Sequence, residues 1–297
     1  MDLLPVELVR LIYQYCDPPS VRALRLTSVR LADVGYEFLL PPHFTAVEWR
    51  DDITRLRSIA GHDRLRGSIR SITFNFSRVN EYNARHAAFL DHWFQLDRED
   101  HRAMLEDAWT QYHDLEKRGR RLPPFHSRSA AVEEAFRLLP NLSDLEVTFT
   151  RCPYPVPFLD DVFRVPGCRK RDREQARRAV NAVVSAIGHL GAPLASLAID
   201  HLPLEVLRHA GDRRHWFDCA ARSFAPLTRL SLVLDPASGL LPRSRSCAVN
   251  GLGRVLQHCP NLSRLSLAFH PYHAPREKFP LSFRAIPGAA PASSSGG

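Results

Sequence analysis

Lysine is almost missing from this chain. Of its 40 basic residues, only Lys117, Lys170 and Lys278 are lysines; the other 37 are arginines. Long apolar runs are missing as well. No stretch approaches the 18 or more uninterrupted apolar residues of a membrane span. The most apolar segment, 179–207, is broken by Asn181, His189, Gly191, Pro193 and Asp200, so no membrane partner is expected. The six cysteines (16, 152, 168, 219, 247 and 259) include no CxxC pair. They read as reduced thiols of a cytoplasmic or nuclear protein. Asp2 and Glu7 stand where a secretory leader would be basic, so no such signal is expected.

Enzyme signatures are equally absent from the sequence. There is no P-loop, no GxSxG elbow, no HExxH and no dinucleotide fingerprint; Gly251-Leu252-Gly253 lies inside a helical pattern. His86, His92, His101 and His113 contain no i,i+4 pair, which argues against a metal site. The expectation is a protein without catalytic residues, metal or cofactor.

What is present describes an ordinary globular chain. Its 297 residues suit about two domains, and 44% are apolar against 24% charged. The net charge of +8 is local. Lys-Arg-Gly-Arg-Arg at 117–121 and a run at 164–178 with seven basic and two acidic residues hold all of the excess. A nucleic-acid binder would spread charge over a face, so nucleic acid is disfavoured. Within the second run, Arg169, Lys170, Arg171 and Arg173 form a candidate substrate or localisation patch. Guanidinium forks suit phosphate and carboxylate, while charge runs are more often solvated loops. Asn75, Asn141 and Asn261 each open an Asn-x-Ser triplet at an expected strand, which reads as chance rather than glycosylation.

The first forty residues form a helical unit. Leu4-Pro5 opens it, and Leu8, Leu11, Ile12 and Tyr15 follow at helical spacing. Asp17-Pro18-Pro19-Ser20 stops and restarts the chain, with Ser20 as expected cap. Val21, Leu24, Val29 and Leu31 carry the pattern to Gly35, and Pro41-Pro42 closes it. Forty residues rarely build a self-sufficient core, so part of this apolar surface must meet the rest of the chain or a partner.

A second pattern recurs downstream. The template apolar-x-x-apolar-x-apolar-x-apolar starts at Ile69, Leu142, Leu227 and Leu262; the copy from Leu194 ends in His201, and the copy from Phe44 ends in Asp51. Alternation predicts strands with one buried face. Helical patterns fill the intervals, over Ala131–Leu139, Glu174–Leu190, and after Ser246 as expected cap. Prolines 140, 193, 226 and 260 end helices just before strands. Strand–helix repetition implies a parallel sheet with right-handed crossovers and a solenoid. A helical insertion is expected at about 78–135, with Phe89, Trp93, Trp109 and Tyr112 on its apolar stripe, and a disordered tail at 286–297.

Leu4-Pro5-Val6-Glu7-Leu8, Ile12, the Pro18-Pro19 turn and Leu24-Arg25-Leu26-Thr27-Ser28-Val29-Arg30 resemble the F-box, with Leu31 where that family often has an aromatic. Ala108-Trp109, Tyr112, Leu115 and Leu138-Leu139-Pro140-Asn141-Leu142 resemble the leucine-rich-repeat region of fungal F-box proteins. Regular repeats of that kind place an asparagine three residues after the third apolar position; here Thr150, Asp235 and His270 stand there, which predicts irregular repeats. The resemblance implies an α/β fold class: an all-α F-box at 1–42, then an irregular leucine-rich-repeat-like body at 43–285. It further implies that Leu4, Pro5, Leu8, Ile12, Leu24, Leu26 and Val29 dock a Skp-family adaptor linked to a cullin ligase core, while the body binds an unknown protein substrate. A protein-interaction scaffold without a ubiquitin-ligase role is the alternative. Scarce lysine, the acceptor of ubiquitin, then has two readings: resistance to self-modification, or arginine-favouring codon usage in a GC-rich genome.

Overall fold

The structure is a computed structural model that describes residues 4–48, 50–77, 110, 114, 117, 123–151, 170–190, 192–207, 223–235 and 242–269. Most of the expected insertion, the 286–297 tail, Arg169 and most of 117–121 lie outside the described residues.

Three short helices open the chain: α1 (Val6–Gln14), α2 (Pro18–Arg25) and α3 (Val29–Gly35). The sequence suggests Ser20 as the cap of the second helix, but Asp17 holds that place. Its carboxylate accepts the Ser20 N–H at 3.1 Å, and Pro18 and Pro19, lacking N–H donors, fill the first turn. The expected single helix from 21 to 35 is broken in two. The chain turns at Leu26-Thr27, where the Thr27 hydroxyl donates to the Leu24 carbonyl, and Ser28 restarts it by accepting the Leu31 N–H at 3.2 Å.

Beyond this unit the fold is mixed α/β. Six strands, β1 (His43–Val47), β2 (Ser71–Asn75), β3 (Asp144–Thr148), β4 (Ser196–Pro203), β5 (Arg229–Asp235) and β6 (Arg264–Phe269), form one sheet. All pairs are parallel and adjacent strands follow chain order. Among the described residues, the helices between them are α4 (Asp52–Ala60), α5 (Ser129–Leu138), α6 (Lys170–Ile187) and α7 (Pro242–Gln257). Ser246 therefore lies within α7; Pro242, with its fixed φ, opens that helix instead.

Register explains which template positions were well placed. Ile72, Leu145, Leu197 and Leu230 stand side by side, as do Phe74, Val147, Ile199 and Leu232. All eight are buried with Val132, Phe136, Val183 and Ile187 from α5 and α6 in one cluster. The first copy was misaligned by three residues. Phe44 pairs with Ile72, and Ala46 with Phe74, so the inward pair is Phe44 and Ala46, while Val47 stands on the other face. The Val47 N–H donates to the buried Asp52 carboxylate at 2.9 Å, which seats α4 against the strand end. His201 does not simply break the fourth copy. A bulge between Ile199 and Leu202 inserts a residue, so that Leu202 supplies the partner of Leu234.

One device repeats at each strand start. The carbonyls of Pro42, Arg70, Ser143, Ala195 and Thr228 each accept two successive N–H groups from the following unit, at 2.8–3.1 Å. Two of the Asn-x-Ser triplets belong to it. Asn141 donates to the Gly67 carbonyl at 2.7 Å, and Asn261 to that of Ala225 at 2.9 Å. Ser143 and Ser263 bond back to Arg70 and Thr228 through both backbone and hydroxyl. The triplets are structural joints between units.

The turn after β3 lacks a turn-bonding asparagine, and Asp200 of β4 takes its place. Its carboxylate accepts from Phe149 N at 2.8 Å, from Thr150 N at 3.3 Å, and from the hydroxyls of Thr150 and Thr148. Burial pushes this carboxyl above its ordinary value, and those four donors pull against the rise. Asp200→Ala is expected to cost about 1–3 kcal/mol, because two backbone donors lose their acceptor. A raised acid contributes stability that is present below its unfolded pKa and lost as the pH rises through its folded value. The stability gap between wild type and Asp200→Asn should therefore narrow on going from about pH 3 up through the carboxylate range; urea titrations at several pH values check this.

Candidate docking surface

The N-terminal helices enclose a small core separate from that of the sheet. Val9, Tyr13, Val21, Leu31 and Val34 are buried in it, with Leu4, Val6, Leu24, Phe38 and Leu39 packed around them. The Tyr13 hydroxyl donates to the Leu31 carbonyl at 2.8 Å, and its ring stacks on Phe38 at 5.3 Å. Burial raises the Tyr13 pKa, so the phenol stays a donor. Leu31, the departure from the F-box pattern noted in the sequence, is buried in this core.

Gly35 is set by the same packing. A Cβ there would lie 2.4 Å from Cγ of Arg25 and 2.7 Å from the Tyr13 hydroxyl. Arg25 donates to the Ala32 carbonyl at 3.1 Å while its guanidinium lies 3.9 Å over the Tyr36 ring. Arg64, from beyond α4, covers Tyr36 at 4.8 Å and pairs with Asp33 at 2.6 Å. These contacts fix the helical unit to the rest of the chain. Arg10 is paired with Glu37, and Arg30 donates to the Leu4 carbonyl.

After this core is filled, large apolar side chains are left over. Leu26, Tyr15 and Val29 are 89%, 85% and 81% exposed, and Leu8 and Leu11 nearly half. Leu8, Leu11 and Tyr15 share one face of α1, away from Val9 and Tyr13. Leu26 and Val29 flank the break between α2 and α3. Of the seven residues singled out from the sequence, Leu8, Leu26 and Val29 are thus open, Pro5 is exposed, Ile12 is half-buried, and Leu4 and Leu24 lean on the small core. Leu11 and Tyr15 were missed as surface residues. Their helical spacing was visible, but Glu7, Arg10 and Gln14 mark only one narrow polar face, and the apolar residues at 8, 9, 11, 12, 13 and 15 cover the rest of the helix without dividing inside from outside. Exposed apolar side chains concentrated this way mark interaction surfaces.

The second candidate patch is placed differently. Lys170 and Arg171 lie in the first turn of α6, and Arg173 is half-buried on it. The structure therefore continues the helix four residues upstream of its expected start at Glu174. Among the described residues, no group of three or more metal-ligating side chains forms, and no helix is long and apolar enough to cross a membrane. No protein-family model matches the chain, and neither the curated proteins nor the solved structures contain a match.

Proposed function

We propose that this chain is the substrate-recognition subunit of an SCF-type ubiquitin ligase. In this reading α1–α3 are an F-box that docks a Skp-family adaptor, and the adaptor links to the cullin core. The sheet and its helices are an irregular leucine-rich-repeat solenoid that presents a protein target. The observation that carries the proposal is a three-helix unit that fills its own core and still leaves Leu8, Leu11, Tyr15, Leu26 and Val29 outside. A few such apolar anchors supply most of the energy when a helical face enters a groove.

The chain would perform no chemistry itself. Its contribution is effective concentration, holding a substrate lysine near the ubiquitin-charged enzyme. The open face of the sheet suits target binding, because Ser71, Asp144, Glu146, Ser196, Arg229 and Ser231 present polar groups there.

The test uses the exposed anchors, since Ile12 also supports the fold. Leu8→Asp with Leu26→Asp is expected to keep the circular dichroism of the wild type and to weaken adaptor capture at least tenfold. Undiminished capture overturns the docking assignment. Capture of adaptor without cullin would favour the scaffold reading.

A further inference from the structure

A cavity on the sheet-covering helices has a mainly polar and basic lining. It measures about 420 Å³ and is lined by His126, Ser129, Arg177, Arg178, Asn181, Ala182 and Ser185. It lies in the crease where α6 packs against α5 and the 3₁₀ turn Phe125–Arg128. Its size falls within the range of small-ligand sites, roughly 300–1,000 Å³. Among the described residues, two guanidiniums, an imidazole, an amide and two hydroxyls face it, with no carboxylate beside them.

The two arginines are held in place from behind. Glu174 takes Nε and Nη2 of Arg177 at 2.8 and 2.5 Å and Nε of Arg178 at 3.0 Å. The same bonds bring the Glu174 carboxyl down to about 2, so the clamp persists throughout the neutral range. Glu205 acts on Arg177 at longer range and also stands outside the lining. Glu174 thus occupies the inner edges of both forks and leaves the Nη groups of Arg178 and Nη1 of Arg177 as donors.

We infer that this cavity binds a phosphomonoester group. Its chemistry fits a dianion with several acceptor oxygens better than it fits a carboxylate or an apolar ligand. A pre-set pair of guanidiniums supplies directed, charge-assisted bonds to a tetrahedral oxyanion. Asn181 and Ser129 offer further donors at the rim. The inference stands apart from adaptor docking, which uses other helices, so failure of one leaves the other intact.

Isothermal titration of the full chain with inorganic phosphate and with a short phosphoserine peptide, at fixed ionic strength and against acetate, tests it. Saturable binding at least tenfold tighter for phosphate than for acetate is expected in one arm or both. A tighter peptide arm assigns the group to a phosphorylated protein segment; equal arms assign it to a small phosphomonoester. Arg178→Gln should weaken binding at least tenfold and Arg178→Lys less, since the charge is kept and the fork lost. Asn181→Asp, which leaves both arginines and adds a carboxylate to the cavity, should abolish binding and covers the case in which Arg178→Gln fails to fold. No saturable binding to the wild type, or equal binding to Asn181→Asp, overturns the inference.

Discussion

Adding one methyl group at position 251 is expected to lower stability by about 2–3 kcal/mol, the upper part of the range for an overpacked core. In the interior of an ordinary helix, Gly→Ala works the other way and gains roughly 0.5–1 kcal/mol. The difference comes from the neighbour. A Cβ on Gly251 would stand 1.8 Å from the carbonyl oxygen of Leu207 and 2.8 Å from its carbonyl carbon. Both are backbone atoms of a 3₁₀ turn, Leu204–Leu207, whose Leu204, Val206 and Leu207 are buried. No rotamer change can relieve such a contact, so α7 must lift from the turn. Leu252 and Val255 would then lose their seats in the main core. Urea unfolding of Gly251→Ala should show a lower midpoint with an unchanged slope. An alanine variant as stable as the wild type would mean that α7 does not sit on this turn.

Phe74→Ala is expected to be costlier still, about 3–5 kcal/mol. Phe74 is only 1% exposed and lies at the centre of an aromatic cluster. Its ring is 5.3 Å from Phe125, 6.1 Å from Phe136 and 6.3 Å from Phe76, and Phe76 in turn meets Phe125 and Phe149 at 4.7 and 5.4 Å. The cluster joins β2, β3, α5 and the 3₁₀ turn before it, so a void there is walled by several elements that cannot collapse together. Phe269 makes the comparison. It stands at the half-exposed end strand β6, and its truncation should cost about 1–2 kcal/mol, as partial burial implies. Equal losses at the two positions would show that the packing centre lies elsewhere.

Much of the sheet was readable because a single rule governs it. Strands buried on one face must alternate, and five copies of the template place their inward residues in matching register. The first copy misled because Ala46 is small and Val47 large, so size suggested the wrong inward residue. The bulge at β4 was invisible for a related reason: His201 looked like a break, and only the pairing of Leu202 with Leu234 shows an inserted residue. Helix starts were less legible. Ser20 and Ser246 have the chemistry of caps, yet prolines two and four residues earlier begin the respective helices.

Sites built from distant residues left no local trace. Asp200 bonds a turn fifty residues away, Gly251 touches Leu207, and His126 and Arg178 line one cavity from different elements. Each depends on which elements become neighbours, and spacing along the chain carries none of that. For the N-terminal helices, the apolar residues were evident but not their division between inside and outside. Tyr13 decides it, because its hydroxyl reaches the Leu31 carbonyl and draws that face of α1 inward.

The doubly bonded carbonyls at the strand starts bear on how such a chain can vary. Each strand after the first takes its position from one acceptor immediately ahead of the preceding strand, whatever the length of chain between them. Residues 236–263 connect β5 to β6, whereas 76–143 connect β2 to β3, and both pairs keep an unbroken parallel register. Doubling a flexible connection costs only about 0.6 kcal/mol in closure entropy. Connections can therefore be lengthened, shortened or exchanged while the scaffold beneath stays fixed, and new binding loops can arise between strands without redesign of the sheet.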